Sequence, residues 1–230
     1  MRRGVVHTTT ALVAAAAATA PFHPSPSTAT SAGGKHTGIN RTIEEMLTRA
    51  ERWPVKVGAD QGAQNIDLSR PTPTTVQSLV AASRPIPNQQ YSGTFGDQVR
   101  ATRFDKELTY LSVPCLIVGA KWENSPATGD GDFHIVIADP TNPSTTMIAE
   151  IPDPKYVPSE SPFGTMIAKV RSTFSGMAGN VTETFKTFPT PIAATVSGIG
   201  FWDFKHGQTG VAGNAIEIHP VLSIEPRTGP

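Results

Sequence analysis

The chain has 230 residues, of which 38% are hydrophobic and 17% are charged, a composition typical of one globular domain with extensions. Its 20 glycines and 21 prolines favour a turn-rich β protein over a helical bundle. The 19 basic and 19 acidic residues give a formal net charge of zero, which disfavours a nucleic acid or an anionic membrane surface as the partner.

Residues 1–32 have the pattern of an export signal followed by a linker. Arg2 and Arg3 give a positive start, an alanine-rich apolar core follows, and Ala18-Thr19-Ala20 supplies small residues of the cleavage type. Cleavage near Ser31-Ala32 is the alternative, and a disordered alanine-rich tail is another interpretation. The apolar core is shorter than the roughly 20 residues that span a bilayer. We therefore predict a secreted or cell-envelope protein with no transmembrane segment once the signal is removed.

Residues 33–103 are predicted to form an N-terminal extension with two short helices. The first has a capping-box spacing at residues 42–45 and ends at Trp53-Pro54, before an irregular polar stretch over 55–71. The second begins at Pro73 with Thr72 as its cap. Neither helix offers enough apolar surface for a core of its own, so both are expected to pack on the following domain.

Residues 104–226 carry the period-two pattern of a β domain. Strands are predicted over 108–120, 132–138, 145–151, 192–203 and 215–224, and a helix capped by Ser161 precedes the last two. This β-β-β-α-β-β order predicts a mainly β fold with helices, namely a five-stranded OB-like Greek-key barrel. A generic α+β sandwich is the alternative.

Three residues in the first strand carry separate predictions. Pro114 cannot donate to a β ladder, so Pro114 and Gly119 predict an edge position or a bulge that bends the strand. Cys115 is the only cysteine and lies in the apolar run 113–118. It is predicted to be a buried, inert thiol, because nothing nearby in sequence would lower its pKa.

Three blocks of sequence resemble a group of uncharacterised exported bacterial proteins with an OB-like β-barrel domain. They are Gly-Asp-Phe-His-Ile-Val-Ile-Ala-Asp at 131–139, Thr-Met-Ile-Ala-Glu-Ile-Pro at 146–152, and residues 198–220 with His-Gly-Gln-Thr-Gly at 206–210. The resemblance covers about residues 104–225. It implies export and no particular activity.

A looser resemblance, to the staphylococcal-nuclease type of OB barrel, rests on Asp130-Gly131-Asp132 before the second strand. That family implies a calcium-binding carboxylate pair, for which Asp132 and Asp153 would stand, a general-base glutamate and two arginines on the phosphate. The third strand here has no arginine, so the charge developing on a phosphate would go unstabilised. Nuclease activity of that type is therefore not expected.

The predicted ligand surface lies where OB barrels bind their ligands, on the second and third strands and the two loops beside them. We expect its residues to be Trp122, Asp132, His134, Glu150, Trp202, Asp203, Lys205, His206 and Gln208. The tryptophans would form an aromatic platform for a glycan, a cell-envelope component or a protein partner. The alternative is that both tryptophans close the barrel ends as part of the core.

A metal site is the other hypothesis for the polar residues of this region. His134, His206 and His219 would serve with Asp132, Asp203 or Glu217. The spacing includes no short His-x-x-x-His pair, so we expect each histidine to form local hydrogen bonds instead, with no metal and no cofactor.

No complete catalytic motif is present in the sequence, and a Gly-x-Ser-x-Gly elbow is absent. We therefore assign no catalytic residues and predict an exported, non-enzymatic OB-type binding domain. A metal-dependent, nuclease-like hydrolase is the alternative, and a purely structural domain is a third hypothesis.

Overall fold

The computed structural model describes residues 52–85, 102–124 and 129–228. Its helices are α1 (Trp53–Val57), α2 (Val76–Val80) and α3 (Gly164–Ala178). Its strands are β1 (Thr72–Pro73), β2 (Tyr110–Trp122), β3 (Phe133–Ala138), β4 (Thr146–Ile151), β5 (Lys186–Trp202) and β6 (Ile216–Pro226). Short 3₁₀ turns lie at Gln61–Asn65, Asp105–Leu108 and Pro154–Tyr156. The predicted export signal and the predicted first helix fall outside the described residues.

The six strands form one sheet in the order β1-β2-β3-β4-β6-β5, and β2 also pairs with β5. Five strands, β2 to β6, therefore close into a ring, with β1 attached to β2 in parallel. Within the ring β4 and β6 run parallel and the other neighbours are antiparallel. The predicted mainly β class is confirmed.

The hydrophobic core is built from alternate residues of the strands, as their period-two pattern predicts. Ile135 and Ile137 of β3 and Met147, Ala149 and Ile151 of β4 all lie in it. Helix α3 adds Ile167, Val170 and Phe174, which recur at helical spacing and are buried. Val76 and Leu79 of α2 belong to the same core, so this part of the predicted extension packs on the ring.

Two predictions for the N-terminal part differ from the structure. The stretch over 55–71, expected to be irregular, includes the end of α1, which begins at Trp53-Pro54 because proline fits the first helical turn, where its missing N–H has no partner to lose. Pro73 lies in β1, opposite Ser112 of β2, and α2 begins three residues later. Thr75 is its cap, with a side-chain oxygen that accepts a hydrogen bond from Ser78 N.

The bend predicted in the first strand lies beside Gly119, where the register of β2 shifts between Ile117 and Gly119. A Cβ on Gly119 would meet the carbonyl oxygen of Lys186 at 2.5 Å, which requires glycine there. Pro114 pairs with Thr195 on one side, while the other edge of β2 pairs with β1 only up to Ser112 and with β3 only from Leu116. Proline therefore falls where that edge offers no ladder partner among the described residues.

No helix in the described part of the chain combines the length and the hydropathy needed to cross a lipid bilayer.

Cys115 is fully buried, as predicted, and burial raises the pKa of its thiol to about 12. At pH 8 the folded protein should therefore present almost no thiolate to a disulfide reagent such as DTNB. We expect no fast reaction in the native state and one equivalent of reactive thiol in urea, measured by the absorbance of released thionitrobenzoate. Rapid reaction of the native protein would contradict the inert assignment.

Candidate functional site

Polar side chains meet on the face of the ring strands opposite the core, across β3, β4 and β6. His134 of β3 pairs in register with Glu150 of β4. The parallel pairs Ile148–Glu217 and Ala149–Ile218 set β6 beside β4, so His219 comes level with Glu150. Alternation places Glu217 on the same face as His219. Three adjacent strands thus present histidine, glutamate and histidine side by side.

This polar face is covered rather than open to solvent. The 203–214 loop, which joins β5 to β6, lies over β3: the Thr209 carbonyl oxygen is 2.9 Å from His134 Nε2, and a Cβ on Gly210 would meet Val136 Cγ1 at 2.5 Å. Helix α1 adds Lys56, whose ammonium group lies 5.4 Å from the ring centroid of Phe201. We call the resulting group of side chains, each less than a tenth exposed, the acidic–histidine cluster: Lys56, Asp132, His134, Glu150, Asp203, Glu217 and His219.

Glu150 is the centre of the acidic–histidine cluster. Its Oε1 lies 3.0 Å from His134 Nδ1, and its Oε2 lies 3.0 Å from His219 Nδ1. Burial on its own would raise the pKa of Glu150, but the two histidines hold that pKa well below its usual range. Glu150 is therefore an ionised carboxylate between two imidazole rings.

His219 contacts carboxylates through both ring nitrogens. Nδ1 lies 3.1 Å from Glu217 Oε1 and 3.0 Å from Glu150 Oε2, and Nε2 lies 3.2 Å from Asp132 Oδ2. Whichever nitrogen carries the single proton of a neutral imidazole, the other directs a lone pair at a carboxylate oxygen. These contacts are satisfied by a second proton on the ring, by a proton on a carboxyl group or by a metal cation. Burial and the charge of Lys56 would lower the pKa of His219, but the contacts with Asp132, Glu150 and Glu217 raise it well above its ordinary value.

The contact between Asp132 and His219 lacks hydrogen-bond geometry. Asp132 Oδ2 and His219 Nε2 are buried 3.2 Å apart, which is an ion pair when the ring is protonated, and neither atom meets hydrogen-bond geometry with any described group. Asp203 Oδ1 is buried without a hydrogen bond as well. A buried polar atom without a partner costs free energy, so such atoms are rare in folded proteins unless a bound ion or water satisfies them.

The cluster holds four carboxylates, Asp132, Glu150, Asp203 and Glu217, against one ammonium group. Burial lowers the pKa of Lys56, yet the neighbouring carboxylates outweigh burial and raise it well above its ordinary value. For Glu217, burial and then the charge of Asp203 raise the pKa well above its ordinary range. Without an added cation, the excess negative charge is therefore relieved by protons.

Glu123 and Lys121 form the more open rim of this region. Glu123 Oε1 lies 3.6 Å from His134 Nδ1 and 2.7 Å from Lys121 Nζ. The Glu123 side chain is 24% exposed, whereas that of His134 is 0% exposed. Next to them, half-buried Asp130 has a pKa raised well above its ordinary value by burial and by the charge of Asp132.

The structure brings together four of the nine predicted ligand residues, namely Asp132, His134, Glu150 and Asp203. They are buried, not arranged on an open surface. The predicted loop residues lie beside them: Gln208 Nε2 donates to Asp203 Oδ2 at 2.9 Å, while Lys205 and His206 are exposed.

The two tryptophans do not form an exposed platform. The Trp202 ring is fully buried in the core and its Nε1 donates to Asp105 Oδ1 at 3.0 Å. Trp122 is half-buried and its Nε1 donates to the Gly131 carbonyl oxygen at 3.1 Å. Trp202 therefore occupies a core position, which was the alternative to the predicted aromatic platform.

Three cluster residues were missing from the predicted ligand surface: Lys56, Glu217 and His219. Glu217 stands two positions before His219, as Asp132 stands two positions before His134, and this shared spacing was the sequence signal that could have identified them. That signal does not show that β4 and β6 would lie side by side. Lys56 comes from a stretch expected to be irregular, and nothing local marks it for burial.

Two sets of side chains place potential metal-ligand atoms within 4.8 Å of one another: Asp132, Glu150 and His219, and Glu123, His134 and Glu150. Glu150 belongs to both sets. His206, the third histidine of the metal hypothesis, belongs to neither set. Imidazole and carboxylate groups are the donors that zinc and related divalent metals take.

No protein-family model, curated protein or solved structure matches this chain. The two family resemblances described from the sequence therefore stay predictions.

Proposed function

We propose that this chain is an OB-like binding protein for a divalent transition-metal cation such as Zn²⁺, held by Asp132, Glu150 and His219. The observation that carries the proposal is the contact between buried Asp132 Oδ2 and His219 Nε2, which lie 3.2 Å apart without hydrogen-bond geometry in a cluster with excess negative charge. A cation between or beside them would satisfy both atoms and balance the buried negative charge.

The OB-like assignment is supported by the order of the ring. Around the ring the strands follow the order β2-β3-β4-β6-β5 and return to β2. Only the last two strands of the chain exchange places, and β4 and β6 run parallel. In the sequence, α3 comes between β4 and β5, the third and fourth strands of the ring. This connectivity fits a five-stranded Greek-key barrel of the OB type better than an α+β sandwich.

The donor set favours a transition metal over calcium or magnesium. Ca²⁺ and Mg²⁺ are bound by oxygen ligands, and Ca²⁺ takes six to eight of them. An imidazole nitrogen among carboxylates instead suits Zn²⁺, Mn²⁺ or Fe²⁺. His219 also has the arrangement common in zinc sites, in which one ring nitrogen donates to a carboxylate and so orients the other toward the metal.

Burial of the ligands favours metal binding over turnover. A catalytic metal keeps one coordination position open to substrate. Here Asp132 and His219 are 0% exposed and Glu150 is 6% exposed, under the 203–214 loop and α1. We therefore propose a non-enzymatic role with a metal as the ligand, in place of the metal-free site expected from the sequence, while export and a glycan, envelope or protein partner stay predictions.

The proposal is tested by metal analysis and calorimetric titration of the full chain after treatment with a chelator. Wild-type protein should take up Zn²⁺ stoichiometrically and be stabilised by about 2.7 kcal/mol at 100 times the dissociation constant. Asp132→Asn keeps the size of the side chain but removes one anionic ligand. We expect it to weaken binding by at least about 10- to 100-fold, the loss typical of disturbing a metal site.

The matched control is a histidine in the 203–214 loop. His206→Ala should bind Zn²⁺ like the wild type, because His206 is exposed and belongs to neither ligand set, whereas His219→Ala should lose binding. Circular dichroism of each variant separates metal loss from unfolding. A wild-type chain that binds no stoichiometric metal, or an Asp132→Asn variant with unchanged affinity, overturns the proposal.

A further inference from the structure

Glu150 offers its two carboxylate oxygens to opposite sides of the acidic–histidine cluster. We call Asp132, Glu150 and His219 the inner set, and Glu123, His134 and Glu150 the outer set. Oε2 faces His219 of the inner set, and Oε1 faces His134 of the outer set at 3.0 Å. A carboxylate in this position is placed to bind two cations at once, one through each oxygen. The proposed metal accounts for only one of these oxygens.

The contacts of His134 direct one ring nitrogen at two carboxylate oxygens. Nε2 lies 2.9 Å from the carbonyl oxygen of Thr209, which can only accept, so Nε2 carries a proton. Nδ1 faces Glu150 Oε1 at 3.0 Å and Glu123 Oε1 at 3.6 Å, so the position between Nδ1 and these oxygens holds either a proton or a cation. Donation to a backbone carbonyl from the far nitrogen is the usual way in which metal-binding histidines are oriented.

The outer set differs from the inner one in its access to solvent. The side chain of Glu123 is 24% exposed and that of its partner Lys121 is 29% exposed, whereas the Asp132 and His219 side chains are 0% exposed. Lys121 Nζ lies 2.7 Å from Glu123 Oε1 and so competes with any cation for that oxygen. A metal held here would exchange faster and bind more weakly than one held inside.

We infer that the cluster is a two-cation centre, in which a second Zn²⁺-type ion is bound by Glu123, His134 and Glu150, with Glu150 bridging the two ions. This inference rests on the proposed metal-binding function. Two divalent cations that share a carboxylate are an established arrangement in proteins, where they bind and activate water or phosphate oxygens. The outer ion, at the more open rim, is the one that a small oxyanion could reach.

The test counts Zn²⁺ ions in the full chain by calorimetric titration with metal analysis. Wild type should bind two ions, the second more weakly, and Glu123→Gln should bind one. His134→Gln, with folding checked by circular dichroism, should likewise bind one. Lys121→Met removes the competing ammonium group and should tighten the weaker step several-fold, a gain that a merely structural role for Glu123 would not produce.

The outcomes separate the two proposals. One ion in both wild type and Glu123→Gln overturns the two-cation centre and leaves the metal-binding function standing. No ion in wild type overturns both. Two ions in Glu123→Gln, or an unchanged weak step in Lys121→Met, overturns the assignment of the outer ion to Glu123.

Discussion

Glu107→Ala is expected to lower the free energy of unfolding by about 3–5 kcal/mol, the loss found when one partner of a buried ion pair is removed. Glu107 and Arg52 are both fully buried, and their two hydrogen bonds measure 2.6 and 2.7 Å. The same carboxylate accepts hydrogen bonds from the backbone N–H groups of Trp202 and Phe104. Alanine would remove the Glu107 carboxylate from the guanidinium group and leave two amides without these acceptors.

The measurement is urea denaturation followed by circular dichroism, with Lys155→Ala as the control. Lys155 pairs with Asp153 at 3.0 Å, but its side chain is 49% exposed, so its loss should cost about 1 kcal/mol or less. Equal effects of the two substitutions would show that the Arg52–Glu107 pair does not hold α1 to the ring. Arg52 also has a φ of 48°, a left-handed backbone conformation uncommon for arginine, which the contacts of its side chain must help to maintain.

The β elements and the helix between them could be predicted from the sequence because their signals are local. In β3 and β4 the core residues Ile135, Ile137, Met147 and Ala149 stand at every second position, and His134 and Glu150 mark the opposite face. In α3 the helical spacing of apolar residues does the same. These patterns depend on the period of each element alone and not on which element lies beside it.

The site could be predicted only in part because it depends on strand pairing. His134 and Glu150 lie on strands joined by a hairpin and pair in register, as their predicted common face requires, and Asp132 directly precedes the first of these strands. His219 reaches Glu150 only through the parallel pairing of β4 with β6, and these strands are separated by a helix and a long strand. Burial of the face also went unpredicted, since an alternating strand with a polar face usually leaves that face in water.

The burial and pairing of charged residues in the N-terminal part could not be predicted from the sequence. Arg52 is 55 positions from Glu107, and Arg103 is 43 positions from Asp60, yet each pair is buried and forms at least two hydrogen bonds. No local pattern distinguishes such residues from solvated ones, because lysine, arginine and acidic residues are mostly exposed in proteins. The extension therefore contributes to the core of the ring in ways that its composition does not reveal.

Lys56→Met is expected to cost roughly 0.5–3 kcal/mol of unfolding free energy in metal-free protein, the range of most single substitutions, and clearly less in saturating Zn²⁺. Lys56 is 7% exposed, and its charge stabilises the carboxylates of Asp203, Glu150, Asp130 and Glu217. Methionine keeps most of the length and the apolar stem, so the substitution removes the charge with little change in packing.

A bound Zn²⁺ would supply the positive charge that Lys56→Met removes, because its proposed ligands Asp132, Glu150 and His219 lie in the same cluster. The variant should also bind Zn²⁺ more tightly than wild type, since a cation that repels the metal has been lost. Urea denaturation with and without Zn²⁺, together with calorimetric titration, measures both effects, and Lys155→Met serves as an exposed control. If Lys56 and Zn²⁺ neutralise the same carboxylates, bound Zn²⁺ must reduce the loss of stability caused by Lys56→Met. An equal loss of stability with and without Zn²⁺ would therefore contradict the metal site.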